Sequence, residues 1–540
     1  MNDTAAAQSP VVDSRSNGDI RHPLTRRDSC PQAEHGQEPY ADMAETHSAV
    51  VFFAGDRAYK LKKPVRTGFL DFSTPQARAG ACQRETELNR RFARDVYLGV
   101  AEVRGPGGGP CDHLVVMRRM PAARRLSALI RAGEPAGAAV RQVARMLAVQ
   151  HASAPRGPAI SEQGTRDALG RRWADNIEQI HALVDGYAQA AQADEVQRLA
   201  RRFLAGRAAL FDRRIRDGRI VDGHGDLLAD DIFCLDDGPR ILDCLDFDDR
   251  LRWLDGLDDA AFLAMDLERL GAGGLARRFL AWYAEYAGDP APVPLLYHYL
   301  AYRAFVRAKV DQLRSRQGDP QAGALASQLT TMTLRYLRAG AATLVLIGGL
   351  PGTGKSTLAG ILAGRLGCTV LSSDRIRKEL AGLPPLQHAA APYGAGIYTP
   401  FFTERTYQEL LHRAAQLLAV GELVIADASW MSAAHRAAAA ALAGQASADL
   451  IQIQCTAPPA LAARRVSTRA GSTSDAGAAV AADMAAAWAP WPEALNLASG
   501  TKGTRHDQAG WPAALVQQAL HAIRPPGPDR RPARPSVLPG

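Results

Sequence analysis

Thr343-Leu-Val-Leu-Ile347-Gly348-Gly349-Leu350-Pro351-Gly352-Thr353-Gly354-Lys355-Ser356-Thr357 is the stretch on which the fold reading turns. An apolar run of strand length enters a glycine-rich turn, which leaves through a lysine and hydroxyl residues into a helix-compatible run over 356–366. Residues 349–356 satisfy GxxxxGK[ST] in full, in the strand–loop–helix setting that gives the pattern its meaning. Glycines let successive backbone N–H groups point at phosphate oxygens, and the helix start adds its partial positive charge. On this reading Gly349, Leu350, Pro351, Gly352, Thr353, Gly354, Lys355, Ser356 and Thr357 wrap the phosphates of ATP or GTP. Lys355 reaches the β- and γ-phosphates, and the Ser356 hydroxyl ligates Mg2+.

Working outward, apolar runs at 369–371, 423–426 and 450–454 alternate with helical patterns, the signature of a parallel sheet with crossover helices. Asp374 and Asp427 follow two of those runs, at the carboxyl ends of strands where ligands of open parallel sheets bind. Asp374 is the candidate acceptor base and Asp427 the candidate holder of the metal; either could instead be an ordinary helix cap. Arg464, Arg465 and Arg469 follow the last run and its short helix. There a mobile lid would bring Arg465 and Arg469 onto the transferring phosphate. These features, with Ser-Ser-Asp374-Arg-Ile-Arg-Lys378 and Val-Ile-Ala-Asp427-Ala, resemble the small-molecule P-loop kinases, a group that includes gluconate and adenylylsulfate kinases and zeta toxin-like enzymes. The resemblance runs over about 341–520 and implies phosphoryl transfer to a small hydroxyl-bearing compound.

The N-terminal half carries a second constellation. His224-Gly225-Asp226-Leu-Leu-Ala-Asp230-Asp231 leads into an expected hairpin, 232–235 and 240–247, that ends among Asp243, Asp246, Asp248 and Asp249. One carboxylate to accept a hydroxyl proton, followed by others to hold a cation, is what phosphoryl transfer requires. The spacing resembles the aminoglycoside phosphotransferase and choline kinase-like family over about 45–325. That likeness makes Asp226 the base and Asp246 the magnesium carboxylate, with Asp243 next in line. Asp231 stands where the family has Asn; it can still ligate a cation but adds negative charge beside the phosphates. An expected hairpin over 50–54 and 58–63 carries Lys60, Lys62 and Lys63, and an expected helix over 75–92 carries Glu85. These resemble the lysine–glutamate pair that orients α- and β-phosphates in kinases. Strand alternation puts Lys60 and Lys62 on one face, so pattern alone does not choose between them; Lys60 with Glu85 is preferred.

The implied fold is an α+β bilobal protein-kinase-like domain over 41–338, then an α/β P-loop NTPase domain with a parallel sheet over 339–523. Polar tails flank them over 1–40 and 524–540. The whole order resembles bifunctional bacterial proteins of this type. The expected function is ATP-dependent phosphotransfer. Two alternatives stand beside it: an N-terminal half that only binds or regulates, and a P-loop half that acts as an ATPase switch.

Composition narrows the classes. The chain has 540 residues, too many for one ordinary core. Its longest apolar runs are about half of what a membrane helix needs, and no apolar signal core begins the sequence, so a cytoplasmic protein with no membrane partner is expected. Seven cysteines without metal-ligand spacing point to neither a disulfide framework nor a zinc site. The net charge of +8 is scattered rather than gathered in a stripe with aromatics, which argues against nucleic acid. Against 57 arginines the chain has seven lysines, yet five of them (Lys60, Lys62, Lys63, Lys355 and Lys378) fall in the candidate phosphate segments. Nothing in the sequence reports the oligomeric state.

Overall fold

The computed structural model describes residues 41–524, apart from 46–47, 67–70, 107, 185, 388, 390, 469–476 and 501–510. The expected tail over 1–40, the tail beyond Arg524, and Arg469 therefore lie outside the described residues. Among the described residues no helix is long and apolar enough to cross a membrane.

The described residues from Ala41 to Arg118 include a sheet of β1 (Ala41–Glu45), β2 (Ala49–Ala54), β3 (Arg57–Lys62), β4 (Tyr97–Arg104) and β5 (Pro110–Arg118), in the order β1-β2-β3-β5-β4. Every neighbouring pair is antiparallel. The sequence pattern shows β2, β3 and the inner part of β5. It misses β1, and it misses β4, whose apolar positions are broken by Gly99 and whose register slips between Tyr97 and Gly99. The helix Pro75–Asn89 packs on this sheet, opened by the Thr74 side chain accepting from the Ala77 amide and by proline at its start. A small core of Ala58, Cys82, Val96, Tyr97, Val115 and Met117 joins helix to sheet.

The body that follows is helical. Gly137–Ser153, Arg166–Leu183, Tyr187–Ala205, Gly256–Arg269, Gly273–Ala287, Val293–Arg316 and Ala322–Ala339 share one core containing Trp173, Phe211, Phe262, Phe279, Tyr299 and Phe305. Each such side chain, fully buried, contributes on the order of 1.5–3 kcal/mol. Two short ribbons lie between these helices: β6 (Ile220–Asp222) with β9 (Trp253–Asp255), and β7 (Ile232–Leu235) with β8 (Gly238–Ile241). The second expected strand, 240–247, is cut short at Ile241. Asp243 adopts φ 63°, a left-handed conformation that ends the ladder. The segment is then tied elsewhere: the Asp243 amide donates to the Tyr97 hydroxyl (3.2 Å) and the Cys244 amide to Asn89 Oδ1 (2.8 Å). Buried Arg214 holds the base of the ribbons through Asp255 (2.6 Å) and Asp289 (2.5 Å), a fully paired arrangement without which the charges could not be buried.

The last third is a five-stranded sheet of β10 (Thr343–Gly348), β11 (Thr369–Ser372), β12 (Leu423–Asp427), β13 (Asp449–Thr456) and β14 (Leu495–Ala498), in the order β11-β12-β10-β13-β14. All four pairings are parallel. Central β10 is buried along its whole length, as a strand covered on both faces must be. β14 has no clear signal in the sequence. The chain is thus an α+β bilobal body followed by an α/β sheet of P-loop type, the class expected.

The two halves meet at one seam. Arg202 pairs with Asp449, and the Arg207 guanidinium donates to the Ala446 carbonyl (2.6 Å) while stacking over Phe203. Arg207 is wholly buried with Nε and Nη2 unpartnered, and burial pushes its pKa down to about 10. Beside it a Cβ on Gly206 would stand 2.2 Å from the Ala446 carbonyl oxygen, so the backbones touch there.

Candidate functional site

In the C-terminal half, the loop from Gly349 to Gly354 leaves β10 and turns into the helix Lys355–Leu366, whose Leu358, Ala359 and Leu362 are buried. Gly352 has φ 82°, and a Cβ there would stand 2.4 Å from the Ala462 carbonyl oxygen, so both backbone conformation and space require glycine. Ala462 belongs to the helix Pro459–Ser467, and from that helix Arg465 donates to the Gly352 carbonyl (3.3 Å) and to Ser499 Oγ (2.8 Å). Ser499 in turn donates to the Thr353 carbonyl (2.9 Å). Trp511, which the sequence reading overlooked, donates its indole N–H to the Gly354 carbonyl (3.1 Å). We expect Gly352→Ala to weaken nucleotide binding by about tenfold or more, about 1.4 kcal/mol, because the helix carrying Arg465 must retreat. Calorimetric titration with magnesium-ATP measures this; unchanged affinity would show the loop free to shift.

Asp427 ends β12, across from Ile347 of β10. Its side chain is buried close to the Ser356 hydroxyl, while its Oδ1 has no partner. Burial raises the carboxyl's pKa, which Lys355 and the nearby Ser356 hydroxyl partly offset and Asp374 reinforces. A buried, unpartnered carboxylate oxygen next to a hydroxyl and a lysine fits a divalent cation. Among the described residues no three His, Cys, Asp or Glu side chains are spaced to hold a metal by themselves. Magnesium at this place would take its other ligands from phosphate and water, as that ion commonly does.

Asp374, in the first turn of the helix Ser373–Leu380, lines a cavity of about 460 Å³ with Lys355, Arg377, Tyr407, Ser429 and His435. Tyr407 stacks on His435 (3.8 Å between centroids) and bonds Ser429 (3.1 Å), and Glu404 holds the other side of His435 (3.0 Å). Lys378, the other lysine of the motif, is fully buried and donates to the Pro385 carbonyl (3.3 Å). Of this wall, which also includes Pro351, the sequence singles out Pro351, Lys355 and Asp374; Arg377 stands in the quoted motif with no role assigned.

In the N-terminal half, Lys60 and Lys62 both reach Glu85, at 2.8 Å each. Lys60 also pairs with Asp243 (2.9 Å) and Lys62 with Asp246 (2.8 Å). The expected ion pair thus forms, doubled. His224 is neutral: burial lowers its pKa, its Nε2 meets the Leu242 carbonyl (3.1 Å) and its Nδ1 accepts from the Asp226 amide. Buried Asp259 accepts from the amides of His224 (2.6 Å) and Gly225 (2.9 Å) and is steadied by His151 (3.0 Å). Its charge, stabilised by those donors, keeps its carboxyl far below the ordinary range. Arg303, paired with Asp258 (2.7 Å), donates to the Gly225 carbonyl (3.1 Å).

This framework presents half-buried Asp226, whose pKa burial pushes up to about 6, with Asp243 adding to the rise and Arg307 and Arg303 opposing it. Asp231 is raised well above its ordinary value by burial, then by Asp243 and Asp226. Asp243 is held low, chiefly by Lys60. Asp226, Asp231 and Asp243 therefore feel one another, whereas Asp246 is turned to Lys62 and Glu85. Asp243, second in the order drawn from spacing, thus faces Asp226 and Asp231, and Asp246, first in that order, pairs with Lys62. The left-handed turn at Asp243 rotates it toward Lys60.

Comparison with known proteins adds four observations. A family model described as an AAA domain matches residues 344–491. The "Uncharacterized protein Rv2004c" of Mycobacterium tuberculosis (strain ATCC 25618 / H37Rv) is 42% identical over 500 residues, covering 93% of this chain and 99% of its own. Among solved structures, a choline/ethanolamine kinase family protein from Mesorhizobium loti is 14% identical, covering 55% of this chain and 92% of its own with a TM-score of 0.34. A gluconokinase from Sinorhizobium meliloti 1021 is 19% identical, covering 34% and 90% with a TM-score of 0.24.

Proposed function

This chain belongs to the family of the mycobacterial protein Rv2004c, and from that premise and the geometry of the P-loop we propose that it is an ATP-dependent kinase acting on a small hydroxyl compound. The observation that carries the proposal is that Lys355 and Asp374 line one cavity of small-molecule size, while buried Asp427, with its unpartnered Oδ1, interacts electrostatically with both. In this reading the loop amides and Lys355 bind and orient the β- and γ-phosphates of ATP, with GTP an alternative donor. Asp374 accepts the proton as the acceptor's O–H bond breaks. A new O–P bond forms, the bond from the γ-phosphorus to the β–γ bridging oxygen breaks, and ADP leaves. Arg465 steadies the transferred group from above the loop. A magnesium ion held by Ser356 and Asp427 supplies neutralising charge at the phosphates. Positioned charge of this kind does most of the work in phosphoryl transfer.

The N-terminal half is proposed as a second phosphotransferase site, with Asp226 as base, Lys60 and Glu85 orienting the nucleotide, and Asp243 and Asp231 facing a cation. A binding role without transfer is the competing reading, favoured by Asp231, whose burial beside two other acids is relieved by a cation whether or not phosphate moves.

Mass spectrometry of a cell metabolite extract incubated with the full chain, ATP and magnesium tests the proposal. A species heavier by one phosphoryl group, absent without enzyme, is the expected result. ATP consumption that yields inorganic phosphate and no such species, and that rises with a macromolecule, would favour the ATPase switch instead.

A further inference from the structure

Arg377 lies three residues after Asp374 on the helix Ser373–Leu380, so the two share a helix face, about 5–6 Å apart at their Cβ atoms. Both line the cavity that holds Lys355. Arg377 is 6% exposed. Its Nη1 donates to the Ile397 carbonyl (2.9 Å) and to Thr403 Oγ1 (3.1 Å), and its guanidinium lies over the Tyr398 ring (4.8 Å). Those partners are all neutral, and its buried Nε has none. Burial lowers its pKa, with Asp374 only partly restoring it. Arg214, Arg252 and Arg303, also buried, are neutralised by Asp255 and Asp289, by Asp222 and by Asp258; Arg207 and Arg436 have carbonyl partners only, as Arg377 does, but of these three Arg377 alone lines the cavity of Lys355 and Asp374. A buried cation held only by neutral oxygens is unfavourable unless something else brings the opposite charge.

We infer that Arg377 is the anchor for an anionic group on the acceptor, so that the substrate of the C-terminal site is a hydroxyl compound bearing a carboxylate, sulfate or phosphate a few bonds from the hydroxyl that is phosphorylated. This rests on the kinase reading of the P-loop and narrows it. Asp374 takes the hydroxyl end, and the guanidinium, with its planar fork of donors, takes the acid end. The separation along one helical turn fixes the spacing between them. Asp374 disfavours an anion placed against itself, so the acceptor can enter in one direction only.

The full chain saturated with magnesium and the ATP analogue AMPPNP, titrated calorimetrically with sodium sulfate, sodium phosphate or sodium acetate at constant ionic strength, tests this. At least one of the three anions is expected to bind saturably, and the one that binds best identifies the acid group. Arg377→Met should weaken that binding by about 30-fold, about 2 kcal/mol, with Arg377→Lys in between. No anion binding, or equal binding by wild type and the Met variant, overturns the inference while leaving the kinase reading intact. Failure of wild type to bind AMPPNP removes the kinase reading itself. If the Met variant alone does not bind AMPPNP, the Lys variant carries the comparison. In the metabolite extract the phosphorylated product should derive from an acidic parent, and a neutral or cationic parent contradicts the assignment.

Discussion

Lys355→Ala should reduce ATP-dependent product formation at the C-terminal site by about a thousandfold, the scale at which a single positioned charge contributes to phosphoryl transfer. The ammonium begins the helix after the phosphate loop, acts electrostatically on Asp427, and shares a cavity wall with Asp374. Alanine removes its charge and leaves the loop's backbone in place. ADP release and the mass-shifted product, followed together, give the measurement; Asp226→Asn, assayed in parallel, should leave that product unaffected. Loss of all turnover in the Lys355 variant would assign catalysis to the C-terminal half and make the other half a binding module. Retention of a second product, lost only in Asp226→Asn, would establish two transferases. Undiminished formation of the first product without Lys355 would refute the P-loop reading.

Asp226→Asn should also stabilise the folded chain, with a dependence on pH whose sign follows from the raised pKa. The carboxyl titrates near 6 in the folded chain against an ordinary 3.8. Above pH 6 the folded state must hold an ionised carboxylate where burial disfavours charge, while the unfolded chain ionises freely. This group therefore lowers stability at pH 8, and the deficit fades as pH falls from about 6 toward 4. A shift of about two units amounts to about 3 kcal/mol, reduced to about 2 by the partial exposure of Asp226. A neutral amide of the same shape removes the deficit. Melting curves at pH 8 and pH 5, without nucleotide or magnesium, should show a clear gain at pH 8 that shrinks at pH 5. Equal gains at both would trace the effect to something other than the charge. The same titration predicts that phosphotransfer by this site, if it occurs, rises as pH passes 6 and levels above it.

The legible parts of this molecule were those in which neighbours in sequence are neighbours in function. The phosphate loop is one contiguous segment, and Asp427 ends a strand buried on both faces, so an apolar run followed by an acid was enough to find it. Lys60 and Lys62 could not be separated by alternation because the structure uses both, each closing on Glu85. The path of the chain through Asp243 and Asp246 was hidden for a different reason: the expected strand continues through both, whereas the observed one ends at Ile241 ahead of the positive φ at Asp243. Nothing in the local pattern of Asp-Cys-Leu-Asp announces that turn, which is stabilised by Tyr97 and Asn89 from far upstream. The acceptor cavity was equally hidden. Its wall draws on residues from 351 to 484, and the feature that marks Arg377, a guanidinium surrounded by neutral oxygens, exists only after folding.

The contact between Gly206 and the Ala446 carbonyl gives an experimenter a wedge. A methyl group there has nowhere to go without prising the helical body from the parallel sheet, and it lies on neither candidate reaction centre. Graded side chains at 206 would therefore serve as shims of increasing thickness, loosening the joint in steps. Any conversation between the two centres that passes through the joint would fade in proportion, while chemistry confined to either one would continue undisturbed.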